Sequence, residues 1–213
     1  IMEAEVLDNQ TFPEYVEPFL KLSQGYFSEA SHHLVKSALR VAIEKLDGMT
    51  RYDGTPLVMH SVDTATIVIR EIGLGRNSVI STLLHDVVRL ELMNLNSIGR
   101  HYGEQCIGIL KGLCNISDVD TKAAEDQVDN FRELIVSYAS DPRVILIKLA
   151  DRLEVMRKLE MFPPEKRLKK SWESLNLYSQ IAHKLGLYNV KSELEDISLK
   201  YLEPEDYNYI LRR

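Results

Sequence analysis

Two histidines and two aspartates stand at places where the surrounding chain is apolar or where a helix begins. His60 follows the turn Arg51-Tyr52-Asp53-Gly54-Thr55-Pro56, at the start of a predicted helix. His85 and Asp86 are adjacent in the middle of an apolar helix, and Asp151 closes the apolar run from Val144 to Ala150. An ionised carboxylate buried without a partner is costly, so each such aspartate demands a cation or hydrogen-bond donors. One divalent ion held by two imidazoles and two carboxylates would satisfy all four. Mixed nitrogen and oxygen ligation suits Mn, Fe, Zn or Co better than Mg. Ordinary roles compete with this, residue by residue. A single histidine is more often packed or hydrogen-bonded than ligated. An adjacent His-Asp pair arises by chance, and Asp151 has Arg152 and Lys148 beside it as plain salt-bridge partners. The order His, His-Asp, Asp, with every element on a predicted helix, favours the ion.

The elements that must position these residues are helical. Ala38, Val41, Ala42 and Leu46 repeat at helical spacing in a helix opening near Ser31. A second helix runs from Ser61 to Gly73, which ends it, and a third from Asn77 to Leu92 carries Val79, Ile80, Leu83, Leu84, Val87 and Val88 on an apolar face. Later helices are predicted at Ser97–Tyr102, Glu104–Gly112, Ala123–Ala139, Pro142–Phe162, Lys166–Leu185 and Asn189–Tyr201. Short breakers separate them, among them Asp53-Gly54-Thr55-Pro56, Gly73-Leu74-Gly75 and Pro163-Pro164. No strand alternates over a useful length, and no repeat is evident. The expected fold is all-α, a compact bundle of roughly nine or ten helices.

The chain has 213 residues, 45% of them hydrophobic and 27% charged, an ordinary globular balance. Its net charge of −6 makes the surface as a whole a poor partner for nucleic acid, so a phosphate-rich ligand would need a metal or a local cluster of cations. No apolar run reaches the length of a membrane span. The opening Ile1-Met2-Glu3 lacks the pattern of a signal peptide, and Met2 is expected to be the natural start. Cys106 and Cys114 are not spaced as a CxxC pair, and reduced thiols in the cytoplasm are the expectation.

Four blocks carry a resemblance to a known family. They are Arg51-x-x-Gly54-x-Pro56-x-x-x-His60; Leu83-Leu84-His85-Asp86-Val87-Val88; Leu146-Ile147-Lys148-Leu149-Ala150-Asp151-Arg152-Leu153; and Ile181-Ala182-His183-Lys184-Leu185-Gly186-Leu187 with Glu193 through Leu202. Together they resemble the amino-terminal HD hydrolase domain of the RelA/SpoT family, whose enzymes make and degrade the alarmones ppGpp and pppGpp. The resemblance spans about residues 25 to 212. It implies an HD-domain phosphohydrolase bundle over 25–202, a lead-in segment over 1–24, and at 203–213 the start of a linker toward a synthetase domain that transfers pyrophosphate from ATP to GTP or GDP. It further implies that His60, His85, Asp86 and Asp151 hold Mn(II), and that the ion activates a water against the 3′-pyrophosphate, giving GDP or GTP. Bound cations do lower the pKa of water and offset charge on phosphoryl oxygens. Arg51 matches an arginine that packs on guanine, a task a planar guanidinium suits. Lys148 and Arg152 are placed either to meet phosphate or to pair with acids.

The sequence departs from that family where the chemistry is done. Active members read His-Asp-x-x-Glu-Asp, with the Glu-Asp pair serving the attacking water and the leaving group. This chain has Arg89 and Leu90 there, so no residue is assigned as catalytic. Arginine stays protonated and is no general base. Glu91, the nearest acid, would sit roughly 240° around a continuing helix from His85, away from that face, and is a poor substitute. Tyr52-Asp53 replaces the usual Lys-Ser, Glu154-Val155 replaces His-Asn, and Gly112-Leu113-Cys114-Asn115 replaces Gly-Val-Thr-Lys. Loss of a general base costs about 10²–10⁴ in rate. The expectation is a metal-binding domain impaired in hydrolysis that regulates a GTP pyrophosphokinase by biasing its states. An active Mn-dependent hydrolase, and a phosphohydrolase for another nucleotide, are the alternatives.

Overall fold

A computed structural model describes residues 11–120 and 135–202. The helices are α1 (Glu17–Tyr26), α2 (Glu29–Lys45), α3 (Val58–Ile67), α4 (Arg76–Arg89), α5 (Leu95–Tyr102), α6 (Glu104–Asp120), α7 (Pro142–Arg157), α8 (Pro164–Glu173), α9 (Ser179–Lys184) and α10 (Tyr188–Leu202). No strand occurs among the described residues; Thr50 and Pro56 make an isolated antiparallel bridge. The fold is therefore all-α. The helix expected over Ala123–Ala139 lies outside the described residues as far as 134, and 135–140 are helical. The expected linker at 203–213 also lies outside them. The boundary expected at 24/25 falls inside α1, whose Phe19 joins Val16 in the main core.

Three helices carry the site, α3, α4 and α7, and local devices set the last two. α7 opens on Asp141, which accepts from the Arg143 amide at 3.0 Å, with Pro142 in the first turn. Apolar residues surround it on nearly every side, so it is a central helix rather than a surface one. α4 is buried without a break from Ser78 to Val87. The hydroxyls of Ser81 and Thr82 bond back to the carbonyls of Asn77 and Ser78, both at 2.7 Å, which lets them sit inside the bundle. α4 packs on α2, α3 and α6, and α3 packs on α7.

Several helix ends differ from the sequence pattern: α6 runs to Asp120 rather than Gly112, and α7 stops at Arg157 rather than Phe162. The Ser61–Gly73 helix begins earlier, at Val58, and its last turn is a π-helical turn, Val68–Ile72, closed by Gly73 at φ +81°. α4 stops at Arg89 rather than Leu92. The amide of Leu92 reaches the carbonyl of Val87 at 2.9 Å and that of Glu91 reaches Val88 at 3.0 Å, with Glu91 at φ +58°. That is the paired capping of a Schellman motif, which closes the helix on a left-handed residue. Glu91 has therefore left the helix, and the helical angle expected for it does not apply. A second π-helical turn, Ser174–Tyr178, joins α8 to α9 in place of the single helix expected from Lys166 to Leu185.

Candidate metal and nucleotide site

His60 on α3, His85 and Asp86 on α4, and Asp151 on α7 line one cavity, together with Ser61, Thr64, Thr82 and Ile147. The four residues singled out by type and order are thus brought together from three helices. The cavity holds about 10 Å³, room for one water or one small ion. Two imidazoles and two carboxylates around so small a space match the donor set of a first-row divalent cation. As the side chains stand, His60, Asp86 and Asp151 are engaged by one another or by neighbours. His60 Nε2 donates to Asp151 Oδ2 at 3.0 Å, Ser61 Oγ donates to Asp86 Oδ2 at 3.4 Å, and Arg89 Nε donates to Asp86 Oδ1 at 3.0 Å. Accordingly, no three His, Cys, Asp or Glu side chains among the described residues are spread as a metal-holding cluster. The donors fit a cation in kind and place, and taking one up requires these bonds to be exchanged.

A second carboxylate reaches His60 from behind. Glu154, one helical turn after Asp151 on α7, accepts from His60 Nδ1 at 2.5 Å and from Arg51 Nη2 at 3.1 Å, while Arg51 Nη1 bonds its other oxygen. Only 2% of the Glu154 side chain is exposed. Ionised carboxylates only accept, so two of them facing the two ring nitrogens of His60 favour the doubly protonated ring. Burial alone would lower the pKa of His60, but the carboxylates of Asp151 and Glu154 raise it well above the usual value. Burial in turn would raise Asp151 and Glu154. The His60 charge, with Lys148 helping at Asp151 and Arg51 at Glu154, holds both lowered, Asp151 by far. His85 is lowered, chiefly by burial.

Outside the small cavity lies a larger one of about 390 Å³, lined by Thr50, Arg51, Tyr52, Leu57, His60, Arg89, Val155 and Phe162. A compact turn supplies its first wall: the Gly54 amide bonds Arg51 O at 3.0 Å, and Asp53 Oδ1 accepts from the Thr55 amide at 3.0 Å and its hydroxyl at 2.7 Å. Of the residues expected to contact a nucleotide, Arg51 stands at this cavity with its guanidinium engaged by Glu154. Arg152 does not reach it. Its guanidinium pairs with Glu173 at 3.0 Å, donates to Lys170 O at 3.3 Å and lies over the Tyr178 ring. Lys148 is buried, and its charge acts on Asp151. Arg89 and Val155, which replace acid and amide of the family pattern, both line the cavity, whereas Leu90 caps α4 and packs on the core. Tyr52 and Phe162 meet edge to face there at 5.1 Å. Sequence reasoning missed Glu154 as a site residue, although the Asp151-x-x-Glu154 spacing puts both acids on one helix face.

The HD domain family matches residues 38–188 of this chain. Over 194 residues the chain is 35% identical to a guanosine-3′,5′-bis(diphosphate) 3′-pyrophosphohydrolase of Aquifex aeolicus, covering 91% of this chain and 27% of that protein. It is 33% identical over 195 residues to the bifunctional (p)ppGpp synthase/hydrolase SpoT of Escherichia coli, covering 91% and 28%. A probable GTP pyrophosphokinase of Mycobacterium leprae is 32% identical over 202 residues, covering 95% and 25%. The chain thus spans about a quarter of the length of the curated relatives it matches. A solved metazoan SpoT ortholog, described as hydrolysing ppGpp, shares the fold at 19% identity with a TM-score of 0.50, over 87% of this chain and 97% of that one. No helix among the described residues is long and apolar enough to cross a membrane. With the motifs, the helical bundle and the relatives in agreement, the chain belongs to the HD domain family as an HD domain of the RelA/SpoT type.

Proposed function

We propose that this domain serves alarmone metabolism as a metal-binding HD domain that hydrolyses ppGpp and pppGpp weakly or not at all. The observation that carries the reading is the 3.0 Å bond from Arg89 Nε to Asp86 Oδ1. A guanidinium, permanently protonated, lies against a ligand carboxylate where the family pattern has an acid. His60, His85, Asp86 and Asp151 would hold the cation, Mn(II) first. When bound, it would lower the pKa of a water and offset charge on phosphoryl oxygens. The chain's own residues give that water no evident base: Glu154 is engaged by Arg51 and His60, and Asp151 by His60. Nucleotide contacts are weakened in the same way, by the capture of Arg51 and by Val155 in the outer cavity.

A domain of this kind acts on the rest of its protein. Some relatives are named as pyrophosphokinases or bifunctional synthase/hydrolases, and each is about four times as long as the matched region. The role proposed is regulatory, biasing a synthetase domain that makes (p)ppGpp from GTP or GDP, in the cytoplasm where Cys106 and Cys114 stay reduced. The test is to incubate the purified domain with Mn(II) and ppGpp and to measure pyrophosphate release. Turnover of about 1 s⁻¹ or faster, within the common enzyme range, would overturn the impaired reading. Restored release in Arg89→Glu with Leu90→Asp would locate the loss at those two positions. Because Tyr52 and Val155 alter the outer cavity, a second reading is hydrolysis of another nucleotide; turnover of that nucleotide without turnover of ppGpp would favour it.

A further inference from the structure

Resting on the metal-binding reading above, we propose that Glu154 is a positioning residue of the metal site, aiming His60 at the donor cavity, with Arg51 as its buried counter-ion. An imidazole ring is rigid, and its two nitrogens face opposite ways. Holding one nitrogen therefore fixes where the other points. Glu154 Oε2 lies 2.5 Å from His60 Nδ1, and the opposite edge, Nε2, faces Asp151 inside the cavity at 3.0 Å. The two carboxylates belong to successive turns of α7 and grip one ring of α3 between them. Carboxylate partners on the outer nitrogen of a ligating histidine fix its tautomer and raise its basicity, an effect on metal affinity of about 10- to 100-fold. A neutral imidazole that ligates through Nε2 carries its proton on Nδ1, the edge that faces the Glu154 carboxylate.

The geometry is more than an ion pair between Arg51 and Glu154. Such a pair would be complete with the two guanidinium bonds alone. Here Oε2 is shared between Arg51 Nη2 and His60 Nδ1, and Lys158 Nζ stands 3.6 Å from Oε1. A carboxylate so nearly excluded from water needs this compensation. Arg51 is equally enclosed, with 5% of its side chain exposed, so its guanidinium is committed to Glu154. Turning it toward a ligand in the outer cavity would leave Glu154 a buried charge short of its strongest partner. Glu154 thus strengthens the inner site and disarms the outer one.

The test measures Mn(II) and Zn(II) binding to the chain by titration calorimetry, with ring ¹⁵N spectra of His60 in the Zn-loaded protein. Replacing a buried ion pair by apolar residues of similar size is often neutral for folding, so the main variant is Arg51→Met with Glu154→Met. It is expected to bind either metal about 10- to 100-fold more weakly and to lose the exchange-protected signal of the His60 Nδ1 proton, which stays on the ring but has no carboxylate to donate to. Arg51→Met alone keeps the carboxylate on His60 and is expected to keep that protected signal and to bind metal at least as tightly as the parent. Should the double variant fail to fold, as judged by circular dichroism, Glu154→Gln takes its place, with weaker metal binding again expected. Parent-like affinity in a folded variant lacking the Glu154 carboxylate, or an unchanged Nδ1 proton signal, overturns the proposal while leaving the metal site standing. No binding of either metal by the parent chain overturns the metal reading and this inference with it.

Discussion

Arg89 offers the sharpest perturbation. Its guanidinium sits on Asp86 at 3.0 Å, with 42% of its own side chain exposed and 6% of that of Asp86. Arg89→Ala removes one positive charge from beside the cavity and frees Oδ1 of a metal donor. Two contributions, both favouring the ion, then set the metal affinity. The lost ion pair, half in solvent, is worth about 0–1 kcal/mol, and its loss releases the carboxylate for ligation. The removed repulsion is larger. A unit charge about 6 Å from a divalent cation repels it by about 1.4 kcal/mol in water, and by about four times that at the effective dielectric of a partly buried site. Because Arg89 is well solvated, the lower figure governs. Arg89→Ala is therefore expected to tighten Mn(II) binding by about tenfold, since about 1.4 kcal/mol is a factor of ten. Titration calorimetry at fixed ionic strength reads this directly, and added salt should shrink the difference between parent and variant. An unchanged or weaker affinity in the folded variant would refute the electrostatic reasoning.

Three further outcomes are expected. Without metal, thermal stability should be greatest between about pH 4.5 and 6.5, judged from unfolded-state pKa values. The depressed Asp151 and Glu154 contribute stability above their unfolded values of about 4, which is lost as pH falls through their folded values. The raised His60 contributes stability below about 6.5, which is lost as pH rises through its folded value, whereas the lowered His85 costs stability below about 6.5 and moves the optimum to the upper end of the window. Melting temperatures across pH 4 to 9 test this, and a flat profile in that range would count against the cluster. Glu173→Gln should destabilise by about 3–5 kcal/mol, because it leaves the buried Arg152 guanidinium without its charged partner, whereas Arg152→Met with Glu173→Met should be near neutral; urea unfolding separates the two. Gly112→Ala should cost about 1–3 kcal/mol in the same assay, since its new Cβ would fall 2.6 Å from the Cγ2 of buried Val144, where α6 meets α7.

Much of the site could be read along the chain because metal donors announce themselves by context. Asp86 inside the run Val79 to Val88 and Asp151 after Val144 to Ala150 are anomalies of periodicity, and anomalies of that kind survive without coordinates. What the sequence did not disclose depends on long-range pairing. Arg51 and Glu154 are 103 residues apart, and nothing local to either one says that they meet. Arg152 was equally ambiguous between phosphate and an acid until α8 supplied Glu173. Helix ends depart from the side-chain pattern for a backbone reason. Leu90 and Leu92 continue the apolar rhythm of α4, but the helix closes through amide bonds of Glu91 and Leu92 that side-chain patterns do not encode.

His60 belongs to the wall of both cavities. An occupant of the outer space that tilts this ring changes the ligand field offered to an ion inside, and an ion inside changes the surface that the occupant meets. Around a closed binding cycle the two effects must be equal, so the outer occupant alters ion affinity by the same factor by which the ion alters its own. Two concentrations can thus be compared through the orientation of one side chain, with no movement of the backbone required.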